Sequence, residues 1–237
     1  MVMISRVTVF LLAMAGASAA LAQAQPAKPP AAPAAGAPAA AAPAPAPRYN
    51  VYKEHAKGQA AMNARDYKTA IKIFTEVLDS GKLADNWLSP TYFLRGKSYR
   101  LSRQNAKAIA DYEKAVEKDP KNDAAWYELA LTHRDQDSFN KAIDAYSKAL
   151  DLKTDNHLYW YGRCEARLFI NKFKEAEADC NKALGIKPDH IPALTALGRV
   201  YEDTKRKAKA IETYNRVLAL DPSNKSARAG IDFLKAN

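Results

Sequence analysis

Apolar and small residues between positions 123 and 152 recur with the spacing of two amphipathic helices. In each of two segments they are three or four positions apart, which places them on one face of a helix. They are Trp126, Leu129, Ala130 and His133 in the first segment, and Ala142, Tyr146 and Ala149 in the second. A short polar joint around residues 136–138 separates the two segments. The pattern therefore predicts two antiparallel helices that pack through these faces.

The same pattern repeats every 34 residues from position 89 to position 224. Three positions recur in register: a small residue in the first helix, an alanine early in the second helix, and a larger residue in its middle. They are Gly96, Ala130, Cys164 and Gly198; Ala108, Ala142, Ala176 and Ala210; and Tyr112, Tyr146, Cys180 and Tyr214. One hairpin cannot bury its own apolar face, so the repeats are expected to stack on one another.

Residues 194–201, followed by Ala210, Tyr214 and Pro222, resemble the tetratricopeptide repeat. The resemblance implies an all-α fold: a right-handed superhelix of stacked antiparallel helix hairpins, with five repeats and a C-terminal capping helix. The first repeat is a weaker copy, and four extra residues (85–88) precede the second. The predicted repeats are 51–84, 89–122, 123–156, 157–190 and 191–224, with the cap at 225–237.

The first 48 residues have a composition that no globular core would use. Residues 1–22 combine Arg6, a short apolar run and a small-x-small site ending at Ala22, which predicts a cleaved export signal. An uncleaved membrane anchor is the alternative, although the apolar run is shorter than a span requires. Residues 23–48 are mostly alanine and proline, which predicts a disordered, extended linker. We therefore expect a bacterial protein exported to the periplasm, with membrane contact only if the signal is uncleaved.

The net charge and the motifs restrict the class of partner but do not identify one. The formal net charge is +10, spread along the chain, which favours acidic partners or anionic surfaces. No basic arm or zinc motif accompanies it, so a nucleic-acid partner is not expected. The four histidines form no metal motif, and no nucleophile, phosphate loop or acid pair suggests catalysis. We expect no metal, no cofactor and no enzymatic activity; the oligomeric state stays open.

In the resembled family the first helix of each hairpin lines a concave face that holds partner peptides. The resemblance therefore predicts a binding face with an aromatic column beside a basic patch, suited to an acidic or C-terminal peptide. The predicted contacts are Phe93, Lys97, Arg100, Tyr127, Arg134, Tyr161 and Arg199, with Leu131, Glu165, Leu168, Thr195 and Glu202 on the same face.

The two cysteines, Cys164 and Cys180, lie on the two helices of one predicted hairpin, almost equidistant from its turn. Antiparallel pairing brings them close, so a disulfide is possible in an oxidising compartment. The alternative is that both fill small core positions as buried hydrophobic residues.

Together these features predict a non-enzymatic scaffold or adaptor of the bacterial cell envelope that binds a partner peptide in a concave groove. The alternative is an envelope-structural protein that attaches to peptidoglycan or anionic lipid through its basic surface.

Overall fold

The structure, a computed structural model, describes residues 50–236. These residues form eleven α-helices and no strand, so the predicted all-α fold is confirmed. The helices are α1 (Val51–Asn63), α2 (Tyr67–Asp79), α3 (Asp85–Leu101), α4 (Asn105–Lys118), α5 (Asp123–Arg134), α6 (Phe139–Leu152), α7 (His157–Phe169), α8 (Phe173–Ile186), α9 (Ile191–Asp203), α10 (Lys207–Leu220) and α11 (Lys225–Ala236). The predicted export signal (1–22) and linker (23–48) lie outside the described residues.

The helices pack as five hairpins, α1–α2 to α9–α10, and each hairpin stacks on the next. α11 packs against α10 and α9, as expected of a cap. Within residues 50–236, each odd-numbered helix up to α9 also contacts the next odd-numbered one, whereas the even-numbered helices do not contact each other. The odd-numbered helices therefore form the inner layer of the stack and the even-numbered helices the outer layer.

One detail of the second hairpin follows from its extra residues. Helix α3 begins at Asp85, so residues 85–88 add one turn to the start of this helix. It has 17 residues, whereas the first helices of the other hairpins have 12 or 13. The insertion therefore lengthens one inner helix and leaves the stacking order unchanged.

Every hairpin turns through a residue with left-handed backbone conformation. These residues have φ between 53° and 62°, and none is glycine: Arg65, Arg103, Asp137, Asn171 and Lys205. The next amide closes the turn five residues back, as Gln104 N does on Tyr99 O at 2.9 Å. This closure satisfies the last carbonyl groups of each inner helix and reverses the chain within a few residues.

The recurring small and aromatic positions meet in the core. In the fifth hairpin, a Cβ atom on Gly198 would lie only 2.4 Å from Cε1 of Tyr214. A Cβ atom on Gly230 of α11 would lie 2.5 Å from Cε2 of the same ring. The ring is thus held between two glycines, and the cap buries Ile231 and Leu234 beside it. Small residues are required here because the helices approach the ring so closely.

The fourth hairpin has cysteines at both of these positions. Cys164 of α7 and Cys180 of α8 form a disulfide, with an S–S distance of 2.05 Å, and both side chains are fully buried. A covalent bond between the two helices therefore takes the place that a small residue and an aromatic ring occupy in the other hairpins.

Candidate protein-binding face

The seven residues predicted to bind a partner all lie on the inner layer. Phe93, Lys97 and Arg100 are on α3, Tyr127 and Arg134 on α5, Tyr161 on α7 and Arg199 on α9. Since these helices contact one another in order, their inward-facing side chains share one surface across four hairpins.

The predicted basic residues of α3 meet two carboxylates of the third hairpin. Arg100 Nη2 lies 2.9 Å from Oε2 of Glu128, and Lys97 Nζ lies 3.8 Å from Oε1 of the same carboxylate. Arg100 Nη1 also lies 3.8 Å from Oδ2 of Asp135, the residue that follows α5. Two cations of one hairpin are thus paired with two anions of the next.

The pairing continues into the fourth hairpin. Arg134 Nη2 lies 3.2 Å from Oδ1 of Asp135, and its Nη1 lies 2.8 Å from Oε2 of Glu165 on α7. The hydroxyl group of Tyr161 donates a hydrogen bond to the other oxygen of Glu165, at 3.1 Å. We call the seven residues of this continuous chain of contacts the inner network: Lys97, Arg100, Glu128, Arg134, Asp135, Tyr161 and Glu165.

The inner network contains three basic and three acidic side chains, so its formal charge is zero. The patch predicted from Lys97, Arg100 and Arg134 is therefore not a surface of unopposed positive charge. Glu128 and Glu165 are buried, and a partner carboxylate would have to compete with them for the two guanidinium groups. Lys97 has the most exposed side chain of the three cations, at 27%.

Burial and charge fix the protonation states along this face. Burial would lower the pKa of Arg134, but Tyr146, Glu165 and Asp135 together raise it above its usual value. Burial, with a smaller contribution from Glu128, raises the pKa of Tyr127 to about 12. The guanidinium group therefore stays charged and the phenol neutral at physiological pH.

Tyr127 does not belong to an open aromatic column, which corrects the prediction. It is only 9% exposed, and its ring lies 5.9 Å from that of Tyr146 and 4.9 Å from that of Tyr159. Glu165 and Leu168 were also expected outside the core, but they are 8% and 3% exposed. Stacking of the next hairpin covers these positions, because each inner helix packs against its neighbour along the same face.

Besides Arg100 and Arg134, four of the predicted contacts keep partial access to solvent. Phe93 packs against Tyr112 at 6.0 Å between ring centres, and Lys97 Nζ lies 6.0 Å from the centre of the Phe93 ring. Tyr161 is half-buried beside the network, and Arg199 reaches the ring of Phe169 at 5.9 Å. Phe93 and Lys97 lie on the second hairpin and Tyr161 and Arg199 on the fourth and fifth, so these four side chains flank the third hairpin.

Sequence reasoning missed two of the three acidic residues of the network, since it placed only Glu165 on the binding face. Glu128 and Asp135 follow directly after Tyr127 and Arg134, and neither belongs to a recurring position. One signal was available: Lys97 and Glu128 are 31 residues apart, as are Arg134 and Glu165. This separation is three residues short of one period, which brings the second residue one helical turn back on the neighbouring helix.

The described residues offer no sign of a metal centre. No group of three or more His, Cys, Asp or Glu side chains within residues 50–236 is arranged to hold an ion. No helix in the same part of the chain is both long enough and apolar enough to cross a membrane.

Comparison with known proteins places these observations in a family. Two family models, both described as tetratricopeptide repeat, match residues 93–157 and 171–230, which together make up more than half of the chain. The heat-shock protein cognate co-chaperone sgt12 of Aspergillus fumigatus is 35% identical over 83 residues. That match covers 35% of this chain and 23% of the co-chaperone, so the chain spans about a quarter of that relative.

Solved structures show the same architecture. A crystal structure of the MamA protein superposes with a TM-score of 0.67 at 23% identity, covering 73% of this chain and 92% of that one. The structure of YrrB gives a TM-score of 0.69 at 15% identity, covering 77% and 92%. Identities this low speak for the fold alone. The repeat period, the hairpin stack and the two family matches agree, and the chain belongs to the tetratricopeptide-repeat family.

Proposed function

We propose that this protein is a non-catalytic scaffold that holds a segment of a partner protein on its inner face, in the envelope of the cell that exports it. Tetratricopeptide-repeat proteins are protein-interaction scaffolds, which gives the general class. The observation that carries the specific proposal is the inner network, which links the binding-face residues of three hairpins into one surface. A surface held in place before contact leaves most of the ordering cost to the partner.

The accessible side chains that flank the third hairpin suggest where a partner makes contact. Phe93 and Lys97 offer an aromatic ring and a partly exposed ammonium group on α3. Tyr161 and Arg199 offer comparable groups on α7 and α9. Arg100 and Arg134 lie within 2.9 Å of their carboxylates, whereas Lys97 lies 3.8 Å from Glu128 and is more exposed. We therefore expect acidity of the partner to matter at Lys97 and little at Arg100 or Arg134.

The related structures support binding of a peptide in general terms. YrrB, which shares the fold, is described as a tetratricopeptide-repeat protein with an unusual peptide-binding site. Peptide binding by the present chain is our extension of that likeness and of the inner-face geometry.

The envelope location rests on the sequence of residues 1–48. An export signal followed by an alanine- and proline-rich spacer would place the repeats in the periplasm at some distance from the point of attachment or release. Fractionation of cells that express the full chain, with mass spectrometry of the mature N-terminus, tests this location. Recovery of uncleaved protein in the cytoplasmic fraction would contradict it.

A crosslinked pull-down from the cell envelope tests the inner face. The baits are the wild-type chain, a Phe93→Ala/Lys97→Ala variant and a matched outer-layer variant, Lys114→Ala/Lys182→Ala. Circular dichroism first establishes that all three remain helical. We expect a defined protein to be recovered with the wild type and the outer-layer variant, and lost with the inner-face variant.

The envelope-structural alternative predicts a different result. If the positive surface attaches the protein to peptidoglycan or anionic lipid, the outer-layer variant loses binding, the inner-face variant keeps it, and added salt releases it. That outcome would replace the proposed function.

A further inference from the structure

In two hairpins an arginine lies between the inner and the outer helix, on the side of the stack that we call the outer groove. In the second hairpin, Arg95 Nε and Nη2 each lie 2.7 Å from a carboxylate oxygen of Asp111, and its Nη1 donates to Thr75 of α2. In the fourth hairpin, Arg163 binds Asp179 through the same two nitrogen atoms at 2.9 Å, and Ser147 of α6 at 3.0 Å. Each arginine thus connects three helices.

The third hairpin has no such pair. The positions equivalent to Arg163 and Asp179, one period earlier, are Leu129 and Ala145. Where the arginine side chain lies in the neighbouring hairpins, the third hairpin has an open groove of about 230 Å³. Its walls include Trp126 and His133, and Leu129 and Ala145 are nearly fully buried at its base.

The tryptophan side chain of this groove makes the same hydrogen bond as its equivalent in the fourth hairpin. Trp126 Nε1 donates to Pro120 O at 3.0 Å, and Trp160 Nε1 donates to Thr154 O, also six residues back, at 2.7 Å. In the fourth hairpin the guanidinium carbon of Arg163 lies 5.0 Å from the centre of the Trp160 ring. In the third hairpin Leu129 stands at the position of that arginine, so within residues 50–236 the Trp126 ring has no such guanidinium group beside it.

The chemistry of the groove favours an apolar occupant. Without a carboxylate at position 145, a buried guanidinium group from a partner would lack the counter-charge that Asp179 gives Arg163. Burial and nearby Lys141 lower the pKa of His133, outweighing the opposite effect of Glu113, so its imidazole is neutral at physiological pH. An aromatic side chain can stack on Trp126 and contact Leu129 at the base of the groove.

Charged side chains of α6 line the rim of the groove. Lys141 and Lys148 stand on α6 at either end of the groove, with Asp144 between them. All three are exposed, and none makes an ion pair within residues 50–236. The two lysines are seven residues apart, or about 10 Å along a helix. Two carboxylates three residues apart on an extended segment span a similar distance.

We propose that the outer groove of the third hairpin is a second binding site, which takes an aromatic side chain from an acidic segment of a partner protein. The groove lies between α5 and α6, and none of its lining residues belongs to the inner network, so it is expected to work independently of the inner face. The formal net charge of +10 also favours approach of an acidic segment.

The test uses the full chain and a blocked tetrapeptide, acetyl-Asp-Phe-Ser-Asp-amide, as the probe. The chain has three tryptophans, and the ¹H–¹⁵N indole signal that disappears in Trp126→Phe identifies Trp126. We expect the probe to shift this signal in a saturable way. Probes with Lys for both Asp residues, or Ala for Phe, should bind about tenfold more weakly, since each loses roughly one anchoring contact.

A variant that fills the groove provides the decisive comparison. Leu129→Arg/Ala145→Asp rebuilds in the third hairpin the pair found in the second and fourth, and should weaken binding of the acidic probe at least about tenfold. The inner-face variant Phe93→Ala/Lys97→Ala should bind the probe as the wild type does, which separates this proposal from the proposed function.

Two results would overturn the proposal: equal binding by the groove-filled variant, or equal or tighter binding of the lysine probe. If circular dichroism shows that the groove-filled variant does not fold, the exposed-site variant Lys141→Ser/Lys148→Ser decides instead. It should weaken the acidic probe about tenfold and leave the lysine probe no weaker. Unchanged affinity for the acidic probe in that variant would also overturn the proposal.

Discussion

The third and fourth hairpins have helices of nearly equal length, but they hold these helices together in different ways. The fourth has a disulfide in its core and an arginine–aspartate pair in its outer groove. The third has a small residue and a tyrosine in the core, and leucine and alanine in the groove. The recurring positions therefore determine the hairpin, while the positions between them determine whether its surfaces are closed or open to a partner.

The comparison also shows that polar groups stabilise the two hairpins differently. In the fourth, Asp179 accepts hydrogen bonds from Arg163 and Arg167 and is only 2% exposed. In the third, Ala145 leaves no such charge to be paired. A buried pair of charges is costly to break and far less costly to replace as a unit, so the two hairpins should respond differently to single and combined substitutions.

The largest expected effect comes from breaking the arginine–aspartate pair. Asp179→Ala should lower the free energy of unfolding by roughly 3–4 kcal/mol, because Arg163 is left largely buried without a counter-charge. Arg163→Leu/Arg167→His/Asp179→Ala, which copies Leu129, His133 and Ala145 of the third hairpin, should lie within about 1 kcal/mol of wild type. Urea unfolding followed by circular dichroism measures both variants. Equal losses in the single and the triple variant would show that these charges do not act as a unit.

Removing the disulfide is expected to have the next largest effect. The bonded cysteines are 16 residues apart, and a closed loop of this size is worth about 3 kcal/mol. Reduction of the wild type, or Cys164→Ala/Cys180→Ala, should lower the melting temperature. The double variant is the control, since the reductant should not affect it. If reduction leaves the melting temperature of the wild type unchanged, the bond does not stabilise the fold.

A pair of tyrosines at the same recurring position should show a smaller difference. Tyr214 donates a hydrogen bond to Glu202 at 2.9 Å, whereas the buried hydroxyl group of Tyr146 has no partner within residues 50–236. Tyr214→Phe should therefore cost about 1 kcal/mol, and Tyr146→Phe should be neutral or stabilising. Urea midpoints of the two variants test this, and a clear loss in Tyr146→Phe would reveal a partner for that hydroxyl group.

The smallest expected effect is a pH dependence at the start of the fifth hairpin. Burial, with contributions from His157 and Lys187 and an opposing one from Asp189, lowers the pKa of His190 to about 4. Its ordinary value is 6.5, so the unfolded chain binds more protons between these limits. The contribution of neutral His190 to the free energy of unfolding is therefore complete above about pH 6.5 and is lost as the pH falls towards 4.

The effect is modest because the imidazole is only partly buried and solvent screens it. His190 precedes α9 and its side chain makes no capping hydrogen bond, so His190→Asn should flatten the pH profile and improve the cap. Melting temperatures between pH 4 and pH 7 measure the difference. An unchanged slope in this variant would place the pH dependence elsewhere, with His157 as the next residue to substitute.

Much of the fold could be predicted because the same kinds of residue recur at the same positions of several repeats. Gly198, Tyr214 and the alanines recur in register, so the helices, their order and the cap were accessible from the sequence. The extra turn of α3 was visible as four additional residues, although not its position in the helix.

The chemistry of the faces was less accessible, because it depends on side chains that do not recur. Tyr127 occupies a position that looks exposed on an isolated hairpin and is covered only when the next hairpin stacks. The pairing of Arg134 with Asp135 and Glu165 needs the rotation between neighbouring hairpins, which the period alone does not supply. The open outer groove could be recognised only once Arg95 and Arg163 were seen to fill its counterparts.

The neutrality of the inner network has a consequence for the rate at which partners associate. Since its charges cancel, the excess positive charge of the chain lies outside the network, and the long-range field that accelerates encounters originates there. Contacts on the inner face should instead govern how long a complex persists. Raising the ionic strength should therefore slow the arrival of a negatively charged partner while leaving its residence time on the inner face nearly unchanged.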